Sequence, residues 1–335
     1  QILFAAGNSG PGANTVSGYG NGKLVISVGA TENMRPIDFD ASDDYNQMVY
    51  FSSRGPTSYN SIKPDIVETG SYIYSTKSDD VAEADYPGLY NTLNLIDTDG
   101  DGIGDYGAMS GTSMACPAAA GDMALIRDYL VDIKGIAAPH STLMKGLMIH
   151  GAEDMGLGYP SYDQGWGRVN VRDSINTEFP HVLQWYANAA GIGSGTYNVE
   201  TNGLDAWVID RTVPLKFTLN HWDAVGSGAL TYDLDLVVTA PDGERFEGNA
   251  FKEAWSTSIA APADWSKCAF PSWTGGAAYD WDTADDGGDD INNVEIVRIP
   301  ANRVRLGQYK VEVVWKSSTA RPFFIGMTGG FNASL

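Results

Sequence analysis

Cysteine is nearly absent. Cys116 and Cys268 are the only two in 335 residues, which rules out a disulfide framework and lacks the paired spacing of a zinc site. Cys116 is expected to pack as a small apolar residue. Histidine is almost as scarce, with four residues. Basic side chains are also few: 21 Lys and Arg stand against 42 Asp and Glu, a formal charge of −21. Such a surface repels polyanions, which excludes nucleic acid as a partner and disfavours an anionic membrane surface. The acidity reads as a solvated surface, part of which bound calcium could neutralise. No apolar run approaches the roughly 18 residues of a membrane-spanning helix. The chain opens on Gln1-Ile2-Leu3-Phe4-Ala5-Ala6, which reads as a strand in mid-domain rather than a leader, so any targeting segment is expected upstream.

What is present suits a packed protein rich in turns and strands: 43% hydrophobic residues, 39 Gly, 17 Tyr and 9 Trp. The length implies two domains. In the first part, Gln1 to Ala6 and Leu24 to Ala30 are continuous apolar runs bounded by Gly-rich loops. Continuous rather than alternating hydrophobicity marks strands of a parallel sheet covered on both faces, hence an α/β domain. Functional groups in such sheets gather at the carboxyl ends of the strands. A helix is predicted from Met114 to about Val131, on the recurrence of Met114, Ala118, Gly121, Leu125 and Tyr129. Pro117 is tolerable only near its start. A second helix is predicted from Ser141, as N-cap, through Leu143, Leu147 and His150.

Beyond about Glu178 the period becomes two. Leu215, Phe217 and Leu219 alternate with Lys216 and Thr218, and Tyr309, Val311, Val313 and Trp315 alternate with Lys310, Glu312 and Val314. Half-buried antiparallel strands punctuated by turns such as Ala240-Pro241-Asp242-Gly243 predict an all-β sandwich or jelly roll. The expected division is therefore residues 1–178, α/β with a parallel sheet, and residues 179–335, all β.

The segment Gly111-Thr112-Ser113-Met114-Ala115 places a serine between a turn and the first turn of a helix. Unpaired N–H groups and the positive end of the helix dipole stabilise developing negative charge there, which suits a nucleophile. Taken alone, the same residues suit plain helix capping. Likewise Asn8, after Gly7 in a Gly-rich loop, is by itself a turn former.

These segments keep informative company. Ala5-Ala6-Gly7-Asn8-Ser9-Gly10, Phe51-Ser52-Ser53-Arg54-Gly55-Pro56, Lys63-Pro64-Asp65-Ile66, Gly111 to Pro117 and Gly165-Trp166-Gly167-Arg168-Val169-Asn170 occur in this order, and the arrangement resembles the C-terminal half of the catalytic domain of subtilisin-like serine proteases. The resemblance implies that Ser113 is the acyl-forming nucleophile and Asn8 the side-chain donor of the oxyanion hole. It implies also a triad in the chain order Asp, His, Ser. His140, His150, His181 and His221 all follow Ser113, and none stands in the His-Gly-Thr-His setting of the family's base. The first domain is thus expected to be incomplete at its N-terminus, with the catalytic Asp and His supplied by an upstream part or a companion fragment. Without them the chain alone is expected to be inactive. Asp233-Leu234-Asp235-Leu236, Asn292-Asn293-Val294-Glu295 and Gly307-Gln308-Tyr309-Lys310-Val311 further resemble the C-terminal jelly roll of alkaline, oxidant-tolerant subtilases.

Calcium is the expected cofactor. Asp97, Asp99, Asp101 and Asp105 occupy positions 1, 3, 5 and 9 of an EF-hand-like loop, with Gly102 at the sharp turn and the Ile103 carbonyl as backbone ligand. Position 12 is Ala108 rather than Glu, so a loop of the thrombospondin-repeat kind is the closer resemblance. A second acidic cluster, Asp280, Asp282, Asp285, Asp286, Asp289 and Asp290, could chelate together with Asp233 and Asp235, which share the face opposite Leu234 and Leu236; Asp233, Asp235, Asp285, Asp286 and Asp290 are the candidate ligands. An acidic solvated loop explains that cluster equally well.

The expected function is a calcium-stabilised, extracellular or cell-surface serine endopeptidase acting on protein or peptide substrates. The rival from another class is a catalytically inactive subtilase-like module, structural or adhesive, in a surface assembly.

Overall fold

The computed structural model describes residues 1–16, 18–34, 42–76, 105–192, 195–224, 226, 230–252, 255–256, 288–316 and 319–332. The two apolar runs at the start become β1 (Leu3–Ala5) and β2 (Ile26–Thr31), which pair in parallel; all six residues of β2 are buried. On the other side of β2 lies β3 (Ile66–Thr69), also parallel, giving the order β1-β2-β3. Val67 then exchanges backbone bonds with Gly167 and Val169, at 3.0 and 3.1 Å, so residues 167–169 close the outer edge of β3. Among the described residues the outer edge of β1 has no strand partner.

An antiparallel pair, β4 (Ile73–Thr76) and β5 (Tyr106–Met109), leads into α1 (Thr112–Asp128), extended by a π-helical turn, Tyr129–Ile133. The helix stands where its periodicity placed it, but the expected stripe is not the one that packs. Ala115, Ala119, Met123 and Ile126 are buried, whereas Ala118, Gly121 and Leu125 are exposed. Both stripes of small and apolar residues run at the helical period, so the pattern alone could not choose between them. Pro117 is the sixth residue of α1, beyond the first turn, so the Ser113 carbonyl lacks its usual donor four residues on.

The next helix, α2 (Ser141–Gly151), is buried on every side from Thr142 to Gly151. Its cap is His140 rather than Ser141: His140 is the extended residue, and its ring Nδ1 accepts from the Thr142 N–H at 3.2 Å, while Ser141 is already helical. A short α3 (Val171–Ile175) follows, capped by the Asn170 side chain.

The remaining strands are β6 (Val182–Ile192), β7 (Gly195–Asn198), β8 (Trp207–Asp210), β9 (Leu215–His221), β10 (Leu234–Thr239), β11 (Arg245–Glu247), β12 (Phe251–Lys252), β13 (Trp255–Ser256), β14 (Val294–Ile299), β15 (Gly307–Gln308), β16 (Lys310–Trp315) and β17 (Arg321–Phe331). They form an antiparallel sheet β11-β10-β16-β7 and another of order β14-β9-β17-β8-β15 with β6 also on β17. One core, containing Leu215, Phe217, Leu236, Val311, Val313, Phe323 and Met327, lies between the two sheets. The chain is therefore an α/β domain with a parallel sheet, followed by a β-sandwich.

The alternation in β9 and β17 has an outcome the period of two did not reveal. Leu215, Phe217 and Leu219 enter the sandwich core, but the polar residues between them face α2, not water. Thr218 bonds His150 at 2.8 Å, the Asn220 amide donates to the Thr142 carbonyl at 2.7 Å, and Lys216 donates to the Ile149 and Ala152 carbonyls at 3.3 and 3.1 Å. From β17, Phe324 lies against Gly146, where a Cβ would stand 2.5 Å from the ring's Cγ. Only glycine permits that approach.

Candidate active site

The carboxyl end of β1 turns at Gly7, whose φ of 108° lies in the left-handed region that favours glycine. The loop that follows is held from below by the segment after residue 50. The Ser53 N–H donates to the Gly7 carbonyl at 2.9 Å, the Gly10 N–H to Phe51 at 2.8 Å, and the Ser9 N–H to Ser53 Oγ at 3.1 Å. The Phe-Ser-Ser-Arg-Gly-Pro motif thus cradles the Asn8 loop. Arg54 of that motif is fixed by Asp163 at 3.2 Å.

Across from Asn8, Gly111 is tied to the carboxyl end of β3 by a bond from its N–H to the Gly70 carbonyl, 2.8 Å. The chain then enters α1. Asn8 Oδ1 accepts from both the Thr112 N–H and the Thr112 hydroxyl, each at 2.9 Å, and Thr112 Oγ1 accepts from the Gly7 N–H at 3.2 Å. A backbone N–H can only donate, so these bonds settle the orientation of the Asn8 amide: Oδ1 faces Thr112 and Nδ2 faces away. A Cβ placed on Gly111 would lie 3.3 Å from Asn8 Nδ2 and 3.6 Å from the Ser113 backbone N. Two donor nitrogens and the Met114 sulfur, 3.7 Å away, therefore border one point beside Gly111.

Ser113 is exposed at the second residue of α1. Two donor nitrogens close together at the positive end of a 17-residue helix are what anion stabilisation requires. The two residues expected from the sequence, Ser113 and Asn8, are brought together. Thr112, to which the motif alone assigns no role, is 1% exposed, bonds Asn8 and directly precedes Ser113. A threonine at the first helical position, where orphan N–H groups need acceptors, was the available signal.

No histidine stands near Ser113 by its hydrogen bonds. His140 caps α2, His150 bonds Thr218 and Thr328 between the domains, His221 is buried beside Asn293, and His181 lies in a cleft at the domain junction. Burial holds His150 well below its ordinary value and lowers His221 to about 4. Asp122, raised to about 6 by burial and by Glu68, is nine residues along α1 from Ser113, about 13 Å of helix. Burial raises the Cys116 thiol, which suits packing rather than reactivity.

Behind the sheet, Asp65 is buried between Lys63 and Lys145, at 2.5 and 2.9 Å, and accepts from the Ser27 N–H at 2.7 Å. Burial lowers Lys63 to about 8 despite that carboxylate, while the two lysines hold Asp65 below its usual range against its own burial. The Lys-Pro-Asp-Ile motif is thus an ion cluster that fixes β3 to α2.

Of the candidate calcium ligands, Asp97, Asp99, Asp101, Ile103, Asp285 and Asp286 lie outside the described residues, as do Asp280, Asp282 and Cys268. Asp105 and Ala108 border or lie in β5, so the acidic loop runs into a strand and not into the helix of an EF-hand. In the sandwich, Asp233 and Asp235 both face Lys316, at 3.4 and 2.9 Å. Burial and the neighbouring Asp289 and Asp290 raise Asp233 to about 7; burial raises Asp289 to about 6 and, with Asp235, holds Glu295 well above its usual value. Glu295 Oε1 is buried without a partner. That orphaned oxygen would suit a cation, yet among the described residues no three acidic, His or Cys side chains form a ligand set, and Lys316 already supplies positive charge. The described donors do not by themselves make a calcium site.

The profile of the Subtilase family matches residues 1–167. Serine protease AprX of Bacillus subtilis (strain 168) is 34% identical over 174 residues, 52% of this chain and 35% of that protein. Serine protease/ABC transporter B family protein tagD of Dictyostelium discoideum is 25% identical over 295 residues, 77% of this chain and 16% of that protein. The chain thus spans about a third and about a sixth of these two relatives. Among solved structures, fervidolysin from Fervidobacterium pennivorans, described as a keratinolytic enzyme related to subtilisin, is 19% identical with a TM-score of 0.37, covering 89% of this chain and 30% of its own. Among the described residues no helix is long and apolar enough to cross a membrane.

Proposed function

Through residues 1–167 the chain belongs to the subtilase family, and from that premise we propose that it carries the nucleophile and oxyanion side of a serine endopeptidase acting on protein or peptide substrates. Ser113 Oγ attacks the scissile carbonyl carbon, and the carbonyl oxygen becomes an oxyanion that accepts from the Ser113 N–H and Asn8 Nδ2. The C–N bond breaks as the proton taken from Ser113 passes to the amine nitrogen, the acyl group stays on Ser113 Oγ, and water then adds to the acyl carbon, freeing the acid and returning a proton to Ser113 Oγ. The observation that carries this reading is the proximity of those two nitrogens to one point beside Gly111 at the start of α1.

Removal of the serine proton falls to an Asp and a His outside these residues, in an upstream part of the protein or a companion chain. The outer edge of β1, which carries no strand among the described residues, and the exposed Ala118, Gly121 and Leu125 face of α1 support such a partner: a parallel edge and an apolar helix face are where further strands and helices of the same domain would dock. The sandwich would brace the domain, its strand pattern being read as the jelly roll of the alkaline subtilases. Calcium would be held by the loop from Asp97 to Asp105 on its carboxylate spacing, lending stability rather than chemistry. An extracellular or cell-surface setting suits a calcium-dependent protease.

The test is labelling of the native, calcium-loaded protein with a fluorophosphonate probe. Covalent modification at Ser113, lost in Ser113→Ala, is expected. An unreactive Ser113 in intact material would leave the rival, a catalytically inactive structural or adhesive module.

A further inference from the structure

At the domain junction a cleft of about 420 Å³ opens between the end of α2, α3 and the near ends of β9, β13 and β14. Its charge runs against that of the molecule. In a chain with twice as many acidic as basic residues, Arg172, Lys216 and Arg298 line this cleft, with Asp173 as the one carboxylate among its described lining residues. Two of the cations are held in place before any ligand arrives. Lys216 gives two of its three donors to the Ile149 and Ala152 carbonyls at the end of α2. Arg298 pairs with Asp154 at 3.1 Å and has its guanidinium 4.0 and 4.7 Å from the ring centroids of Tyr159 and Trp255. Lys216 is lowered to about 7, chiefly by burial and next by Arg298, with Asp154 and Asp173 opposing the shift. Burial without a full complement of negative charge disfavours a protonated lysine, and an anion bound in the cleft would offset that cost. Leu215 and Trp255 add apolar wall, so the complement is an anion attached to an apolar body.

We propose that this cleft is a second binding site, distinct from that of Ser113, which takes the C-terminal carboxylate of a peptide with an apolar last residue. The carboxylate would meet Lys216 and Arg172, and the side chain would lie along Leu215 and Trp255. The reading does not depend on the proposed activity.

The native protein carrying Ser113→Ala, which leaves peptides intact, tests it by calorimetry with a hexapeptide ending in a free leucine carboxylate, its C-terminal amide, and inorganic phosphate. The free acid is expected to bind at least about tenfold more tightly than the amide, the scale of a charge-assisted bond. Arg172→Gln, an exposed change, is expected to weaken the acid about tenfold with an unaltered unfolding temperature. Equal binding of acid and amide, no binding of either, or no response to Arg172→Gln overturns the proposal. Phosphate binding as tightly as the acid would make this a site for simple anions and equally overturn it.

Discussion

Asn8 does two things with two different atoms, and a single isosteric substitution separates them. Oδ1 accepts two bonds from Thr112, at 2.9 Å each, and so serves the first orphan N–H of α1; Nδ2 faces the point beside Gly111 where an oxyanion would form. Asn8→Asp keeps an acceptor oxygen for Thr112 and deletes the donor. Its carboxylate also sits at the positive end of α1, where an anion stabilises by about 0.3–1 kcal/mol. Asn8→Ala removes both functions, and loss of such a cap costs about 0.5–2 kcal/mol. In the order of stability, therefore, Asp should equal or exceed the parent, and Ala should fall below it.

In the order of activity both variants should fall together. Removing one oxyanion donor costs about a hundred- to a thousandfold in kcat, or about 2.7–4 kcal/mol, a magnitude carried over from subtilisin itself. Asn8→Asp should lose at least as much, because it places a negative charge against a developing one. The assay is kcat/KM of the assembled protease on a chromogenic peptide, with denaturant unfolding followed in a Ser113→Ala background to prevent autolysis. If Asn8→Asp stays within about threefold of the parent, Asn8 is only a cap and the oxyanion reading fails. If instead Asp is destabilised as much as Ala, the bonds to Thr112 do not contribute as argued.

Other consequences can be checked directly. Asp65→Asn strands two buried lysines, so the unfolding free energy should drop by about 3–5 kcal/mol; a drop under about 1 kcal/mol would count against the cluster as a clamp. His150 and His221 are both neutral in the fold, with pKa values depressed by burial, the latter to about 4. Their contribution is complete above the unfolded value of about 6.5 and is lost as pH falls towards about 4, so His150→Gln should flatten the acid limb of the unfolding midpoint, and an unchanged limb would refute this. Chelation should lower the unfolding temperature, since one site held at a hundred times its Kd contributes about 2.7 kcal/mol, and Asp99→Ala should abolish the response to chelator.

Strands β1, β2, β9 and β16 and both long helices were legible because each rests on a local signal: apolar runs for β1 and β2, a period of two for β9 and β16, and helical period for α1 and α2. The misplaced faces of α1 and β9 share one cause, which is that period identifies an element but not what covers it. The stripe on α1 containing Leu125 was as periodic as the buried one containing Ala119. Lys216, Thr218 and Asn220 alternated as solvent-facing residues do, yet α2 covers them. Lys145 offered no apolar signal at all and is 2% exposed, because its partner Asp65 is 80 residues away in the chain. Ser141 looked like a cap on composition, while the backbone made His140 the extended residue.

That failure also bears on how the two domains depend on each other. The apolar core that holds Ala115, Ala119, Met123 and Ile126 of α1 runs through Leu143, Leu147 and Met148 of α2 to Phe251, Val294, Ile296 and Phe324 of the sandwich. It is one core crossing the boundary between the halves. Cutting the chain near residue 178 would expose Phe324, Val294 and Ile296 on one side and the sandwich-facing surface of α2 on the other. It would also leave the polar row of β9 facing water where it now meets helix carbonyls. Each buried apolar side chain so exposed forfeits about 1.5–3 kcal/mol, against a total stability of about 5–15 kcal/mol for a typical domain. The sandwich is thus part of the scaffold under Ser113, since α1 packs on α2 and α2 is held between the sheet of the first domain and β9 and β17 of the second.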